Sequence, residues 1–294
     1  MRALVTDFDL RTPSTLQKAL ELLATSPGEW RPFAGGTDLM VQFESGKLSH
    51  NKFVSLQNFS ELKGIQANTR FLAIGALCTY AEIQEHPIVA SEFELLIQAG
   101  KETGAIAIQN RGTLGGNIAN ASPAADSPPC LLVYEAELEI LSASRPAKRI
   151  PYSEFHLGYK QTQLRADEII SQIFLPRPSS DQKAFSKSYF RKVGTRNAQA
   201  ISKVSLAALA LLKNQVPEQI RLALGSVAPY PLRAFKTENL LRGQRLTPKL
   251  IADAQAELER DIAPIDDIRS NSAFRRKVAR NLLEEFCETL CGIG

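Results

Sequence analysis

The spacing of apolar positions predicts short helices and strands in alternation over the first half of the chain. Residues 14–25 (STLQKALELLAT) read as an amphipathic helix, with Leu16, Ala19, Leu20 and Leu23 on one face and Ser14 placed to cap it. Pro27-Gly28 ends that helix. Residues 30–33 predict a short strand running into a glycine-rich turn, followed by a helix over 38–43 with Thr37 as its cap. Residues 52–56 (KFVSL) and 71–74 (FLAI) read as strands, and 79–84 and 88–100 as helices. Residues 106–111 lead into a second glycine-rich run. Ser127-Pro128-Pro129 then opens a helix at 131–134, proline costing nothing in a first turn. Strands follow at 137–141 and 169–175, separated by the tract 156–167.

Pro176-Arg177-Pro178-Ser179-Ser180-Asp181 has the composition of a domain boundary. Beyond it the pattern changes. Residues 184–192, 202–212 and 219–227 predict strands of an antiparallel sheet, although 206–212 reads equally well as helix. Thr247-Pro248 and Asn271 start two amphipathic helices that run to the C-terminus. No internal repeat of fixed period is present. The fold class expected is α+β, in two or three domains for 294 residues.

Composition narrows the function. The chain is 44% hydrophobic and 22% charged, so its core needs no disulfide or metal staple. Thirty-five Lys and Arg against 31 Asp and Glu leave a net charge of only +4, spread along the chain except at Arg275-Arg276-Lys277. With no recognition motif, this argues against nucleic acid as a partner. The longest apolar run, 204–212, is far short of a membrane span. Asp7 comes too early for a signal peptide, so the expectation is a cytoplasmic protein. Of four cysteines, only Cys287 and Cys291 are close, at a spacing that puts both on one face of a terminal helix, where they are expected to pack. No C-x-x-C pair occurs, and His50, His86 and His156 have no ligand spacing, so no metal site is expected.

The chemistry-bearing stretches are two glycine runs. One is Pro32-Phe33-Ala34-Gly35-Gly36-Thr37-Asp38-Leu39. The other runs from Gly112 through Thr113-Leu114-Gly115-Gly116-Asn117-Ile118-Ala119 to Asp126. Glycine permits positive φ and close backbone approach, and successive exposed N–H groups at a helix start form a cradle for phosphate. The usual dinucleotide fingerprint G-x-G-x-x-G and the phosphate loop G-x-x-x-x-G-K are both absent. Two separate G-G runs some eighty residues apart therefore point to another way of holding a diphosphate, with the two runs meeting around one cofactor.

The motifs A-G-G-T-D-L and R-G-T-L-G-G-N-I-A-N-A-S-P-A-A-D resemble those of the FAD-binding medium subunit of molybdenum hydroxylases, of the xanthine dehydrogenase and carbon monoxide dehydrogenase type. The resemblance extends to Tyr159-Lys160-Gln161-Thr162, Asp167-Glu168-Ile169-Ile170 and Arg191-Lys192-Val193-Gly194-Thr195-Arg196. It implies a two-part FAD-binding module of the vanillyl-alcohol-oxidase (PCMH) type over 1–177, divided roughly into 1–56 and 57–177. A C-terminal domain over 183–292 would follow, with a three-stranded sheet against a helical bundle. It further implies that Pro32 to Leu39 wrap the FAD diphosphate through N–H groups and the Thr37 hydroxyl. Thr113, Leu114, Gly115, Gly116, Asn117 and Ala119 would close on the same phosphates and the ribityl chain, and Asp126 would accept from cofactor hydroxyls. Asp38, repelled by phosphate, would satisfy loop N–H groups instead.

Ile170 would pack on the cofactor, and Lys192 would lie at the isoalloxazine edge, where a cation favours the reduced anionic flavin. A solvated strand edge is the plain alternative for Arg191 and Lys192. The function implied is electron transfer within a multi-subunit oxidoreductase. Electrons would come from [2Fe–2S] clusters of a small subunit, fed by a molybdopterin-binding large subunit, and pass through FAD to NAD or another acceptor. A stand-alone FAD-dependent oxidoreductase of the same fold, or a non-catalytic nucleotide-binding scaffold, are the competing readings.

Overall fold

The computed structural model describes residues 8–177, 185–196 and 199–292. Residues 178–181 of the expected boundary, and the expected start of the second domain at 183, lie outside the described residues. The chain begins with β1 (Asp9–Arg11), α1 (Leu16–Thr25), β2 (Arg31–Phe33), α2 (Thr37–Glu44) and β3 (Lys52–Ser55). The strands form a parallel sheet in the order β1-β3-β2, each return made by a helix, as parallel pairing requires. Thr15, rather than Ser14, caps α1 by accepting from the Lys18 N–H. Gly36, in the left-handed region at φ 76°, rather than Thr37, precedes the first turn of α2.

A second unit follows: β4 (Ile65–Ala67), β5 (Phe71–Gly75), α3 (Tyr80–Glu85), α4 (Pro87–Glu92), α5 (Glu94–Glu102), α6 (Ile106–Gln109), α7 (Leu114–Asn120) and α8 (Ser127–Val133). It closes with β6 (Glu137–Leu141), β7 (Lys148–Pro151), β8 (His156–Gly158), β9 (Gln161–Thr162) and β10 (Ile169–Pro176). Its antiparallel sheet has the order β4-β5-β10-β6-β7. The single helix predicted over 88–100 is broken at Phe93, whose backbone leaves the helical region while its ring is buried edge-on against Tyr134 at 5.1 Å. The tract 156–167 is not structureless: it holds the β8–β9 hairpin. His156 there is buried, paired through Nε2 with the Tyr152 hydroxyl at 3.0 Å and stacked on Tyr230. Burial pushes its pKa down to about 4, so it is neutral at physiological pH.

The last unit comprises β11 (Lys187–Val193), β12 (Val204–Lys213), β13 (Val216–Gly225), β14 (Leu232–Arg233), α9 (Phe235–Leu241), α10 (Pro248–Asp261) and α11 (Ser272–Cys291). The expected three-stranded sheet gains a two-residue fourth strand, in the antiparallel order β11-β12-β13-β14. Residues 206–212 are strand. Leu206, Ala208 and Ala210 face the core shared with α10 and α11, while Ala207 and Leu209 face the core of the preceding unit. A strand buried on both faces loses its polar alternation, which is why its pattern also fits a helix. Thr247 and Asn271 cap α10 and α11 as their sequence predicts. Cys287 is buried against the sheet, but Cys291, expected to pack beside it, is exposed.

Every residue of α8 is buried, because this helix lies between the second unit and the last sheet. Its C-terminal end is held by charge. Arg221 donates to the Val133 carbonyl at 2.9 Å, and Arg233 pairs with Glu135 at 2.8 Å and with the fully buried Glu238 at 2.7 Å. Glu238 also accepts the Leu222 N–H at 2.8 Å. Glu238→Ala would strand a buried guanidinium and an N–H. It should cost about 3–5 kcal/mol in chemical denaturation, whereas a loss below about 1 kcal/mol would show that the network does not hold the sheet to α8.

Candidate cofactor site

The first glycine motif leaves β2 and enters α2. Among the described residues, the N–H groups of Gly35, Gly36, Thr37, Asp38 and Leu39 find no acceptor in the protein, and the first one used is that of Met40, on the Gly36 carbonyl. Five adjacent unsatisfied donors at a helix N-terminus form a place for an anion. Gly36 makes the turn, and a Cβ there would meet the Phe33 ring at 2.5 Å. Pro32 is exposed at the strand edge, Ala34 offers its carbonyl to Gln57, and Leu39 is half-buried. Asp38 does not satisfy loop N–H groups as expected. Its carboxylate accepts from Gln42 one turn along the exposed face of α2.

The second motif is stitched to the segment before α3. Tyr80 N–H donates to the Gly112 carbonyl, Leu114 N–H to that of Cys78 and Gly115 N–H to that of Ala76, at 2.9–3.2 Å. Thr113 caps α7 by accepting the Gly116 N–H, and the Asn117 N–H closes on the Thr113 carbonyl. The N–H groups of residues 114–117 are therefore committed within the protein. What this motif can offer a ligand is side chains and close backbone approach, with Asn117 half-buried, Ala119 exposed and Leu114 wholly in the core.

The two motifs meet. A Cβ on Gly35 would lie 2.0 Å from the Arg111 carbonyl oxygen and 3.2 Å from Gly112 Cα, and one on Gly112 would lie 3.5 Å from Thr37 Oγ1. Gly115 is needed for a different seam, since its Cβ would strike Ala76 at 2.5 Å. The sequence marks these glycines but holds no sign that Arg111 or Ala76 is the atom each one faces.

Beyond α7 the chain turns through Ala121, left-handed at φ 50°, to Asp126. The structure brings Asp126 and Lys192 together, 66 residues apart. Nζ lies 2.7 Å from Asp126 Oδ2 and 2.8 Å from the Glu102 carbonyl, with both side chains under a tenth exposed. Lys192 is thus neither a free cation nor a solvated strand edge. Asp126 Oδ1 is buried and has no hydrogen-bond partner, an orphan acceptor of the kind a cofactor hydroxyl would satisfy. Burial pushes the Asp126 carboxyl up to about 6, with Lys192 pulling the other way. Ile170 is buried in β10 within the core of the second unit.

Residues 6–178 match the family described as FAD binding domain in molybdopterin dehydrogenase, and residues 188–290 match the CO dehydrogenase flavoprotein C-terminal domain. The chain belongs to the FAD-binding subunit family of molybdopterin dehydrogenases. This flavoprotein subunit is 30% identical over 273 residues, 92% of each chain, to the xanthine dehydrogenase FAD-binding subunit of Escherichia coli O157:H7. It is 30% identical to the glyceraldehyde dehydrogenase medium chain of Sulfolobus acidocaldarius, over 94% of this chain and 95% of the other. In fold it superposes on carbon monoxide dehydrogenase from Hydrogenophaga pseudoflava with a TM-score of 0.91 at 23% identity, covering 98% of both chains. The subunit is an FAD-dependent oxidoreductase component. Its unsatisfied N–H run and the orphan oxygen of Asp126 fit that cofactor's diphosphate and hydroxyls.

Gly35→Ala should push the motifs apart, because backbone on both sides cannot yield, and should weaken FAD binding about tenfold or more, roughly 1.4 kcal/mol. Flavin titration of the FAD-free protein measures this, and full affinity would show that the seam does not shape the site. A pH test follows from Asp126. Its folded-state pKa is raised, so the stability it contributes is complete below its ordinary value and is lost as pH rises through about 6. FAD-free Asp126→Asn, which cannot titrate, should gain about 3 kcal/mol relative to wild type between about pH 3 and about pH 8, at roughly 1.4 kcal/mol per pKa unit. A pH-independent difference in denaturation free energy would mean that this carboxyl titrates normally.

Proposed function

We propose that this subunit carries electrons within a multi-subunit molybdenum hydroxylase. They enter from [2Fe–2S] clusters of a small partner subunit, which draws on a molybdopterin-binding large subunit, and leave to NAD or another acceptor. The observation that carries the reading is the seam at Gly35, where the donor-rich start of α2 abuts the second glycine motif. The division of labour assigns FAD binding to a PCMH-type domain over 1–177 and closure of the site to a C-terminal domain over 183–292. Bound FAD supplies the redox couple between cluster and acceptor.

The chain's own residues do the holding. The N–H groups of residues 35–39 and the Thr37 hydroxyl would take the diphosphate, which also meets the favourable end of the α2 dipole. Phe33, Ala34 and Leu39 would shape the wall around it, and Ile170 would support the cofactor from β10. Thr113 to Asn117 and Ala119 would close the far side, and Asp126 Oδ1 would accept a cofactor hydroxyl. Lys192 would set the local charge jointly with Asp126, because the two form one ion pair. Among the described residues, His156 pairs with Tyr152 and His50 with the Glu29 carbonyl, neither with a serine or aspartate side chain, and no group of three His, Cys, Asp or Glu could hold a metal. That favours an electron carrier over a stand-alone enzyme with its own substrate base.

The test is purification from cells expressing the neighbouring reading frames. The expected result is a yellow complex containing a molybdopterin subunit and an iron–sulfur subunit. Its FAD is reduced when the clusters are reduced and reoxidised on addition of NAD or another acceptor. A flavoprotein that purifies alone and oxidises a small substrate unaided would overturn the proposal, as would a chain that never binds flavin.

A further inference from the structure

Asn117, in the second glycine motif, carries a hydrogen-bond donor and an acceptor at the two ends of one amide, and the two ends do different work. A diphosphate accepts hydrogen bonds and donates none, so an asparagine serves it only with the amide N–H₂ turned toward it. The two ends of the amide are nearly alike in size, and something must decide which faces the ligand.

In this structure the decision is made from inside the core. The Ser127 hydroxyl donates to Asn117 Oδ1 at 2.9 Å, and the Tyr80 hydroxyl lies 3.1 Å from Ser127 Oγ. Ser127 is fully buried and Tyr80 is 1% exposed, so water does not compete for either group. Because Ser127 spends its proton on Asn117, Tyr80 donates to Ser127, and the chain of donors runs outward from α3 through α8 to α7. Burial holds the Tyr80 hydroxyl protonated by pushing its pKa well up. Asn117 Nδ2 has no partner among the described residues.

We propose that Ser127, backed by Tyr80, is a positioning residue that engages the carbonyl end of Asn117 and so presents its amide as a pure donor to the FAD diphosphate. The inference rests on the reading that Asn117 faces the cofactor, and the experiment separates failure of the one from failure of the other. It also gives a role to the fully buried Ser127 hydroxyl in an otherwise apolar helix.

The experiment is a double-mutant cycle on the full chain, stripped of flavin and titrated with FAD, read by quenching of flavin fluorescence. Asn117→Ala should weaken FAD binding about tenfold, roughly 1.4 kcal/mol, Ser127→Ala by a similar factor, and Tyr80→Phe by less. Ser127→Ala should cost nothing further in the Asn117→Ala background, because its effect passes through that amide. Ser127→Thr, which keeps the hydroxyl, should restore affinity. A merely structural role for Ser127 would weaken FAD equally in both backgrounds, and independent, multiplying losses would overturn the proposal. So would unchanged affinity in Ser127→Ala where Asn117→Ala binds weakly. Unchanged affinity in Asn117→Ala would instead refute the placement of Asn117 at the cofactor. Thermal melts of each variant separate misfolding from lost orientation, and Tyr80→Phe read in both Asn117 backgrounds carries the test if Ser127→Ala fails to fold.

Discussion

Nothing larger than a hydrogen fits between Gly35 and the carbonyl of Arg111. That close approach is the constraint on which the rest of the molecule depends. It sets the end of the small parallel sheet directly against the turn that opens α7. Either unit alone would offer only a generic turn. Held backbone to backbone, they set the free donors of α2 beside a helix start whose own donors are satisfied.

The two glycine motifs look equivalent in composition but do opposite jobs. The first keeps its N–H groups without an acceptor among the described residues. The second uses its own to fasten itself to Ala76, Cys78 and Thr113. A buried backbone donor without a partner is costly, so a segment driven this deep must satisfy itself, whereas a helix start at the surface can leave its donors for an anion. The clamp is therefore asymmetric.

The third partner is α8, fixed to the C-terminal sheet at both ends by charge. Asp126 meets Lys192 at its start, and Arg221 and Arg233 hold Val133 and Glu135 beyond its last turn. Of these contacts the Asp126–Lys192 pair is the buried one, and such a pair adds little net stability over an apolar contact. Together they join the sheet to the helix that carries Ser127. The same pairing changes the expected electrostatics of the site. Lys192 brings no isolated positive charge, because its counter-charge lies within hydrogen-bond distance.

Much of this was legible in the residues themselves. The glycine runs, the caps at Thr247 and Asn271, the strands at 137–141 and 169–175 and the FAD-binding family all follow from local pattern and motif. Such features are written into short stretches of chain, through propensity, capping and the need for a missing Cβ. What lay beyond the sequence was every fact joining distant residues. The break at Phe93 comes from a ring reaching a core that the sequence does not locate. Residues 206–212 are strand because two separate cores bury both faces at once. The ion pair of Asp126 with Lys192, the partner of Gly35 and the hydroxyl holding Asn117 all depend on how three units pack. The sequence by itself determined which residues could hold a diphosphate. Only the tertiary structure decided which of their donors remain free to do so, because satisfaction of a hydrogen bond is a property of neighbours in space.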